Sequence, residues 1–448
     1  MRTLRFFLWM PALAGCVATE DAAPGQDASV SDAEVSGAVV DAACETTENP
    51  LRFDCSLTTE APAEVAWTVY EGSTPVRTFT SEGTHHAQLL WGLPEATDLT
   101  WEASTSAGAA SGGLSTGSAD LGALSIATFG VGLATDAVMV PLQCDDATGL
   151  VAFDEAGRVT WYEVLGGGSV DARGGLQGFD RTPDGFVAGI DGAEVVEVAP
   201  DGTVLRTITG LSDPLHHDLA ADEDGRLYLL EAFEEDGYVL DGVRVFEGEE
   251  EVASFALSTV VTPSGGAGED RYWAQTFPGA TDWSHTNSVE LVGDGTALLS
   301  LKAQNALLMV VLDPDAGDFG EVVWTLTGAD SQLASDFDWS DGGGFYGQHH
   351  ASVDDEGQLL LFDNGASRSR GLVLGLGEDS VSEVHSVALG EHCPTQGAAY
   401  PLDDGGLLVT CATSGTVVAF DTAGTEVWSA TVDCGTQAPL ARGMPMTW

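Results

Sequence analysis

Five of the nine histidines in this 448-residue chain fall at three places with a shared context: His216 and His217, then His285, then His349 and His350. Each group stands just ahead of an apolar run that leads into an acidic or glycine-rich turn. Neutral imidazole is a nucleophile and a base near pH 7, so three such groups gathered in one volume could attack an electrophile or pass protons to a leaving group. Downstream, Arg368 and Arg370 follow Asp363-Asn364-Gly365. His85 and His86 sit in a different context, inside an alternating run, and read as surface strand residues.

A repeat could bring the three groups together. The stretches beginning Asp218-Leu219-Ala220-Ala221-Asp222, Asn287-Ser288-Val289-Glu290-Leu291, His350-Ala351-Ser352-Val353-Asp354 and Ala399-Tyr400-Pro401-Leu402-Asp403 share one plan. Each is an apolar alternation, an acidic-Gly turn, then a Leu/Val run. Further strands and Gly turns follow, giving four short strands per unit of roughly 40–50 residues, the blade period of a β-propeller. Solenoid repeats are shorter, and helical patterning is nearly absent. A blade around 138–161, open to completion by the C-terminal strand, brings the count to six. The first strand of each blade lines the central channel, so residues at its start converge on one end of the ring.

The expected fold is all-β: a six-bladed propeller over 125–448, preceded by a small fibronectin-III/Ig-like β-sandwich over 46–120. Residues 17–45 are Ala, Asp, Glu, Ser and Gly with few large apolar side chains, which reads as a disordered acidic tether. Arg2 and Arg5 precede a short apolar run, below the roughly 18–20 residues that span a bilayer, and it ends Leu13-Ala14-Gly15-Cys16. That sequence resembles a bacterial lipobox, in which Cys16 is lipidated and becomes the mature N-terminus. An exported protein held to a membrane through this lipid alone is the expectation, and Val17 in place of Asp suits the outer membrane. The remaining six cysteines allow fifteen pairings; Cys144 with Cys434 would staple the propeller's ends.

The charge excludes some functions. With 70 acidic against 15 basic residues the net charge is -55, a field that repels nucleic acid. The triple glycines at 166–168 and 342–344 open no helix, so they are turns and not phosphate cradles. No zinc spacing or EF-hand loop occurs, and neither a metal nor a cofactor is expected.

Asp282-Trp283-Ser284-His285-Thr286-Asn287-Ser288 resembles the Asp-Trp-x-His-x-Asn-Ser element of bacterial arylsulfotransferases. Gln348-His349, followed by Phe362-Asp363-Asn364-Gly365 and Arg368, is similar to their Gln-His…Phe-Asp-Asn-Gly…Arg element. Gly320-Glu321-Val322-Val323-Trp324 resembles a signature of their blades' outer strands, and the similarity runs over 130–448. The resemblance implies a six-bladed propeller that moves a sulfuryl group from a phenolic sulfate donor to a phenol acceptor through a sulfohistidine. It implies that His285 and His349 bind and polarise the group, that Arg368 stabilises it, and that His217 holds an analogous position. Asn287, His350 and Asn364 would contact substrate or brace the loops. One departure stands out. Where the family places its nucleophilic histidine, this chain reads Cys393-Pro394-Thr395-Gln396-Gly397-Ala398-Ala399-Tyr400. His217, His385 and His392 are the remaining candidates. If none serves, the alternative is a non-catalytic propeller acting as a surface binding or scaffold module.

Overall fold

The computed structural model describes residues 28–31, 33–144, 147–166, 176–190, 193–211, 214–265, 272–340, 342–435 and 440–448. Cys16, its leader and the first part of the tether lie outside these residues.

Six four-stranded antiparallel units follow one another from Ala137, and each contributes its innermost strand to the ring's centre. Blade 2 starts with Leu176–Thr182, blade 3 with Leu215–Ala221, blade 4 with Thr286–Leu291, blade 5 with His349–Val353 and blade 6 with Ala398–Pro401. Blade 1 closes the ring: the C-terminal strand Met444–Met446 pairs inside Ala137–Cys144. At the other end Ser125–Gly130 adds a fifth, outermost strand to blade 6. The Cys144–Cys434 disulfide then joins blade 1 to the end of blade 6, as expected from sequence, and Cys393–Cys411 lies within blade 6.

What drives the ring together is burial between neighbouring sheets. A blade has two apolar faces and can hide neither alone. Leu230, Val243 and Val245 of blade 3 therefore pack on Leu299, Leu308 and Val310 of blade 4. Leu298 and Leu307 on the other face of blade 4 meet Leu359, Leu361 and Leu372 of blade 5. Val138, Val140 and Leu142 of blade 1 meet Leu408, Val417 and Trp428 of blade 6 at the closure. Each such side chain contributes about 1.5–3 kcal/mol.

The N-terminal strands form a nearly closed, sandwich-like sheet around Trp67 and Trp101, whose ring centroids are 5.7 Å apart. Its start corrects the sequence reading. Ser29–Val30, Glu34–Gly37 and Val39–Thr46 are strands of this sheet, and Cys44 is bonded to Cys55, so the tether cannot extend to residue 45. Their small side chains hide the signal, because pairing with Gly108–Ser115 is made by backbone. His86, read as a surface residue, is buried beside Ser81, whereas His85 is exposed. The domain docks on the propeller through Arg52 with Glu163 at 3.0 Å and Arg158 with Glu71 at 2.8 Å. Trp91 against the C-terminal Trp448, centroids 5.2 Å apart, braces the closing strand.

Candidate active site

The inner strands of blades 3, 4 and 5 open with an irregularity in register, between Leu215 and Leu219, Thr286 and Ser288, and His349 and Ser352. A bulge re-aims side chains. Here the backbone turns left-handed at His217 (φ 59°), His285 (φ 46°) and His350 (φ 44°), a conformation uncommon for non-glycine residues and concentrated at functional sites. His216, His217, His349 and His350 lie inside their strands, whereas His285 immediately precedes its own.

The rings converge. His217 lies 4.9 Å from His285 and 6.3 Å from His349, centroid to centroid. Tyr272 packs 5.1 Å from His217 and 5.5 Å from His285, and Trp273 lies 5.0 Å from His216, so an aromatic loop covers the cluster. Each ring is pinned through Nδ1. His285 Nδ1 is 2.5 Å from Asp282 Oδ2. His349 Nδ1 donates to Asn364 Oδ1 at 2.8 Å. The Asn364 amide is itself oriented by donating to the carbonyls of Cys393 and Gln396, at 2.7 and 2.9 Å. His217 Nδ1 lies 2.8 Å from His216 Nδ1. Asn287 Nδ2 donates to the Gln348 carbonyl at 2.7 Å, tying blade 4 to blade 5 and leaving Asn287 Oδ1 buried without a partner among the described residues.

His217, His349 and His350 are held neutral. Burial, then the nearby His285 and His216, push His217 well below its ordinary value. Burial, then the charge of Lys302, push His349 down to about 3. Burial also drives His350 well below, with Arg442 next in effect; its Nε2 accepts from the Tyr400 hydroxyl at 2.8 Å. Lys302 is the chain's single lysine, and its backbone N–H donates to the His285 carbonyl at 3.1 Å, directly behind the cluster.

A central cavity of about 30 Å³ is lined by Phe179, His217, Asn287, His349, Gly397 and Arg442 among others. That is room for about one water, so any larger group enters only with side-chain movement. Arg442 is buried, bonded to Asp218 at 2.7 Å and to the Phe179 carbonyl. Burial raises Asp218 to about 6 despite this partner, and burial with Asp180 and Asp218 nearby raises Glu290 to about 8.

The sequence-predicted residues therefore divide. His217, His285, His349, His350, Asn287 and Asn364 are brought together. Arg368 is not: it is exposed on the loop after Asn364, whereas His285 and His349 are only 3% and 4% exposed. Gly365 turns that loop tightly, with φ 63° and the Arg368 carbonyl 2.1 Å from where a Cβ would sit. Arg370 is engaged by Asp363 and Glu383, at 2.9 and 2.7 Å. His392 is exposed beside the Gly365 carbonyl, and His385 lies on the outer strand Ser380–Ala388. Blade 6 offers Gln396 and Gly397 at its opening. A Cβ on Gly397 would lie 2.6 Å from the Phe362 ring, so no larger side chain is accommodated there. Sequence reasoning missed Lys302, Arg442, Tyr272 and Asp241; Asp282 was in sight within the Asp-Trp-x-His run. Among the described residues Glu391, Cys393 and Cys411 come close enough to hold a metal, but both sulfurs are in a disulfide.

Comparison with known proteins adds one strong finding. Residues 123–392 match the arylsulfotransferase (ASST) family. No curated protein matches the chain. Among solved structures it is similar to a protein of unknown function from Bacteroides caccae, at 13% identity and TM-score 0.45, over 69% of this chain and 98% of that one. It is also similar to virginiamycin B lyase from Staphylococcus aureus, at 9% identity and TM-score 0.38, over 68% and 88% of the two chains. A Pseudomonas aeruginosa periplasmic gluconolactonase, at 12% identity and TM-score 0.38, is similar over 87% and 97%.

Proposed function

Because the chain belongs to the arylsulfotransferase family, we propose that it transfers a sulfuryl group from a phenolic sulfate ester to a phenol through a histidine intermediate in the His217–His285–His349 cluster. The observation that carries this reading is the convergence of the three imidazoles, each with its Nδ1 fixed by a partner. With Nδ1 occupied, Nε2 of a neutral ring is the reactive atom. A sulfuryl group reaches the cavity only if lining side chains shift, with the aryl ring left on the side of His217 where Tyr272 packs. Charge spreads over the sulfuryl oxygens in the transition state, and a preorganised cation is worth most in such a water-poor site. Lys302, whose charge reaches His217 and His349, fills the role that the resemblance gave to Arg368.

Incubating the soluble body with 4-nitrophenyl sulfate and a phenol acceptor tests this. Nitrophenolate release that requires His349 supports the reading; no release with any of several acceptors, and no change in His349→Ala, contradicts it. A second reading, a non-catalytic binding propeller, is favoured by the exposed Arg368 and by Gly397 at the opening of blade 6. The same assay separates the two.

We also infer export and attachment to a membrane by lipid on Cys16. The Leu13-Ala14-Gly15-Cys16 run and three disulfides, which persist in oxidising compartments, support this. Cys16→Ser should move the protein from the membrane to the soluble fraction.

A further inference from the structure

Resting on the transfer reading above, we infer that Nε2 of His217 is the atom that takes the sulfuryl group, and that Asp241 acts on it through His216 as a tautomer relay.

The chain of contacts starts at the carboxylate. Asp241 Oδ2 accepts from the Ser284 hydroxyl and the Thr286 N–H, both at 2.6 Å. Both donors flank the start of blade 4, so the carboxylate is fixed across two blades. Its other oxygen, Oδ1, lies 3.0 Å from His216 Nε2. The pair is a close charge contact and not an aligned hydrogen bond, and a carboxylate at that distance favours a His216 proton on Nε2, which leaves Nδ1 as a lone pair. At 2.8 Å stands Nδ1 of His217. Two ring nitrogens at that distance share one proton, so His217 Nδ1 donates it. Nε2 of His217 is then bare.

Two observations select His217 over its neighbours. It lines the cavity, as His349 and His350 also do, but it is partly exposed, whereas His216, His285, His349 and His350 are buried. Its Nδ1 partner can also receive a proton. When a ring nitrogen bonds to sulfur the imidazole becomes cationic, and relief requires loss of the Nδ1 proton. His349 donates to an amide oxygen, with the Gly347 carbonyl 3.1 Å away, and neither takes a proton. His217 donates to an imidazole backed by a carboxylate.

The step balances. The lone pair on His217 Nε2 forms an N–S bond while the bond between sulfur and the aryl oxygen breaks. The Nδ1 proton moves to His216, whose imidazolium is paired with Asp241. The departing phenolate takes the Nε2 proton of His285, whose Nδ1 faces Asp282. The acceptor phenol then attacks sulfur, gives its proton to His285, and the N–S bond breaks as His216 returns its proton to His217. No oxidant or further reactant is needed.

The test is peptide mapping, kept at neutral to alkaline pH because an N-sulfoimidazole hydrolyses in acid, of protein quenched during turnover of 4-nitrophenyl sulfate, with His217→Ala, His216→Asn and Asp241→Asn alongside. The inference predicts one SO₃ on His217 in the wild type and none in His217→Ala, with nitrophenolate release by that variant partly restored by added imidazole. Asp241→Asn should lower kcat roughly 100-fold with little change in KM, since the wrong tautomer costs rate and not binding. His216→Asn keeps an acceptor for the His217 proton but cannot take it, so its kcat should fall and lose the wild-type pH dependence; it also serves should Asp241→Asn not fold. Wild-type turnover with the label on His285 or His349, or a label formed by His217→Ala, overturns this inference alone. Absence of wild-type turnover overturns the transfer reading and this inference with it.

Discussion

Blades 3 and 5 meet the central cavity with imidazoles and blade 4 meets it with Asn287, its His285 packing behind on His217, whereas blades 6, 1 and 2 meet it with Gln396 and Gly397, Arg442, and Gly178 and Phe179. The backbone does not make this difference. Gln396 opens blade 6 with the same left-handed turn, φ 53°, that His217, His285 and His350 use. The glycines of the second half serve packing. A Cβ on Gly178 would lie 2.6 Å from the Asp218 backbone, and one on Gly397 would meet Phe362. One half of the ring thus carries the clustered imidazoles, and the other lets the inner strands close on a buried Arg442–Asp218 pair. A site of this kind can lose an imidazole at one blade while the ring that aims the others stays intact.

Removing an imidazole from the reactive half should have the largest effect. His217→Ala is expected to lower kcat for sulfuryl transfer about 1,000-fold or more, with a cooperative thermal melt retained. Steady-state kinetics beside a thermal melt checks both. Removing the cation comes next: Lys302→Met should cost roughly 100-fold in kcat, comparable to loss of one oxyanion donor, and Lys302→Arg should recover part of it. The opposite half answers differently. Gly397→His offers an imidazole where blade 6 lacks one, yet it must displace Phe362. It should destabilise by about 1–3 kcal/mol in denaturant titration and add no activity.

Smaller effects sharpen the same contrast. His349 is pushed down to about 3 from 6.5, so its ring stays neutral well below the ordinary histidine range. The acid limb of kcat should therefore stay flat from pH 7 to about pH 5, where an unperturbed histidine would already be charged. The linkage for stability has a definite sign. The unfolded chain protonates this histidine below about pH 6.5 and the folded one does not, so its contribution falls as pH drops through that window. Glu290, raised to about 8, acts in the other direction: its contribution is lost as pH rises from about 4 toward 8. Arg368→Ala should change kcat/KM within about twofold, as expected of an exposed residue.

These cases also show what could be read from the residues alone. The blades were legible because their Leu/Val runs and acidic-Gly turns recur, and the first blade was left open to the C-terminal strand, which completes it through Met444–Met446. The histidines were legible because they recur at one place in that repeat. Arg368 was misleading, because spacing along a strand does not say which way the tight turn at Gly365 throws the next side chains. Lys302 and Tyr272 carried no periodic signal: one stands on a single 3₁₀ turn and the other on a loop. The strands before residue 46 were hidden because backbone pairing between small residues leaves little hydrophobic pattern.

The central claim is that an imidazole of blades 3 to 5 carries the sulfuryl group between donor and acceptor. Its most direct measurement is intact mass of the protein mixed with 4-nitrophenyl sulfate in the absence of acceptor, then after a phenol is added. The account predicts a gain of one SO₃ per chain that disappears when the phenol arrives, with the sulfated phenol formed in equal amount. A mass that never changes, while donor is consumed or left untouched, would contradict it.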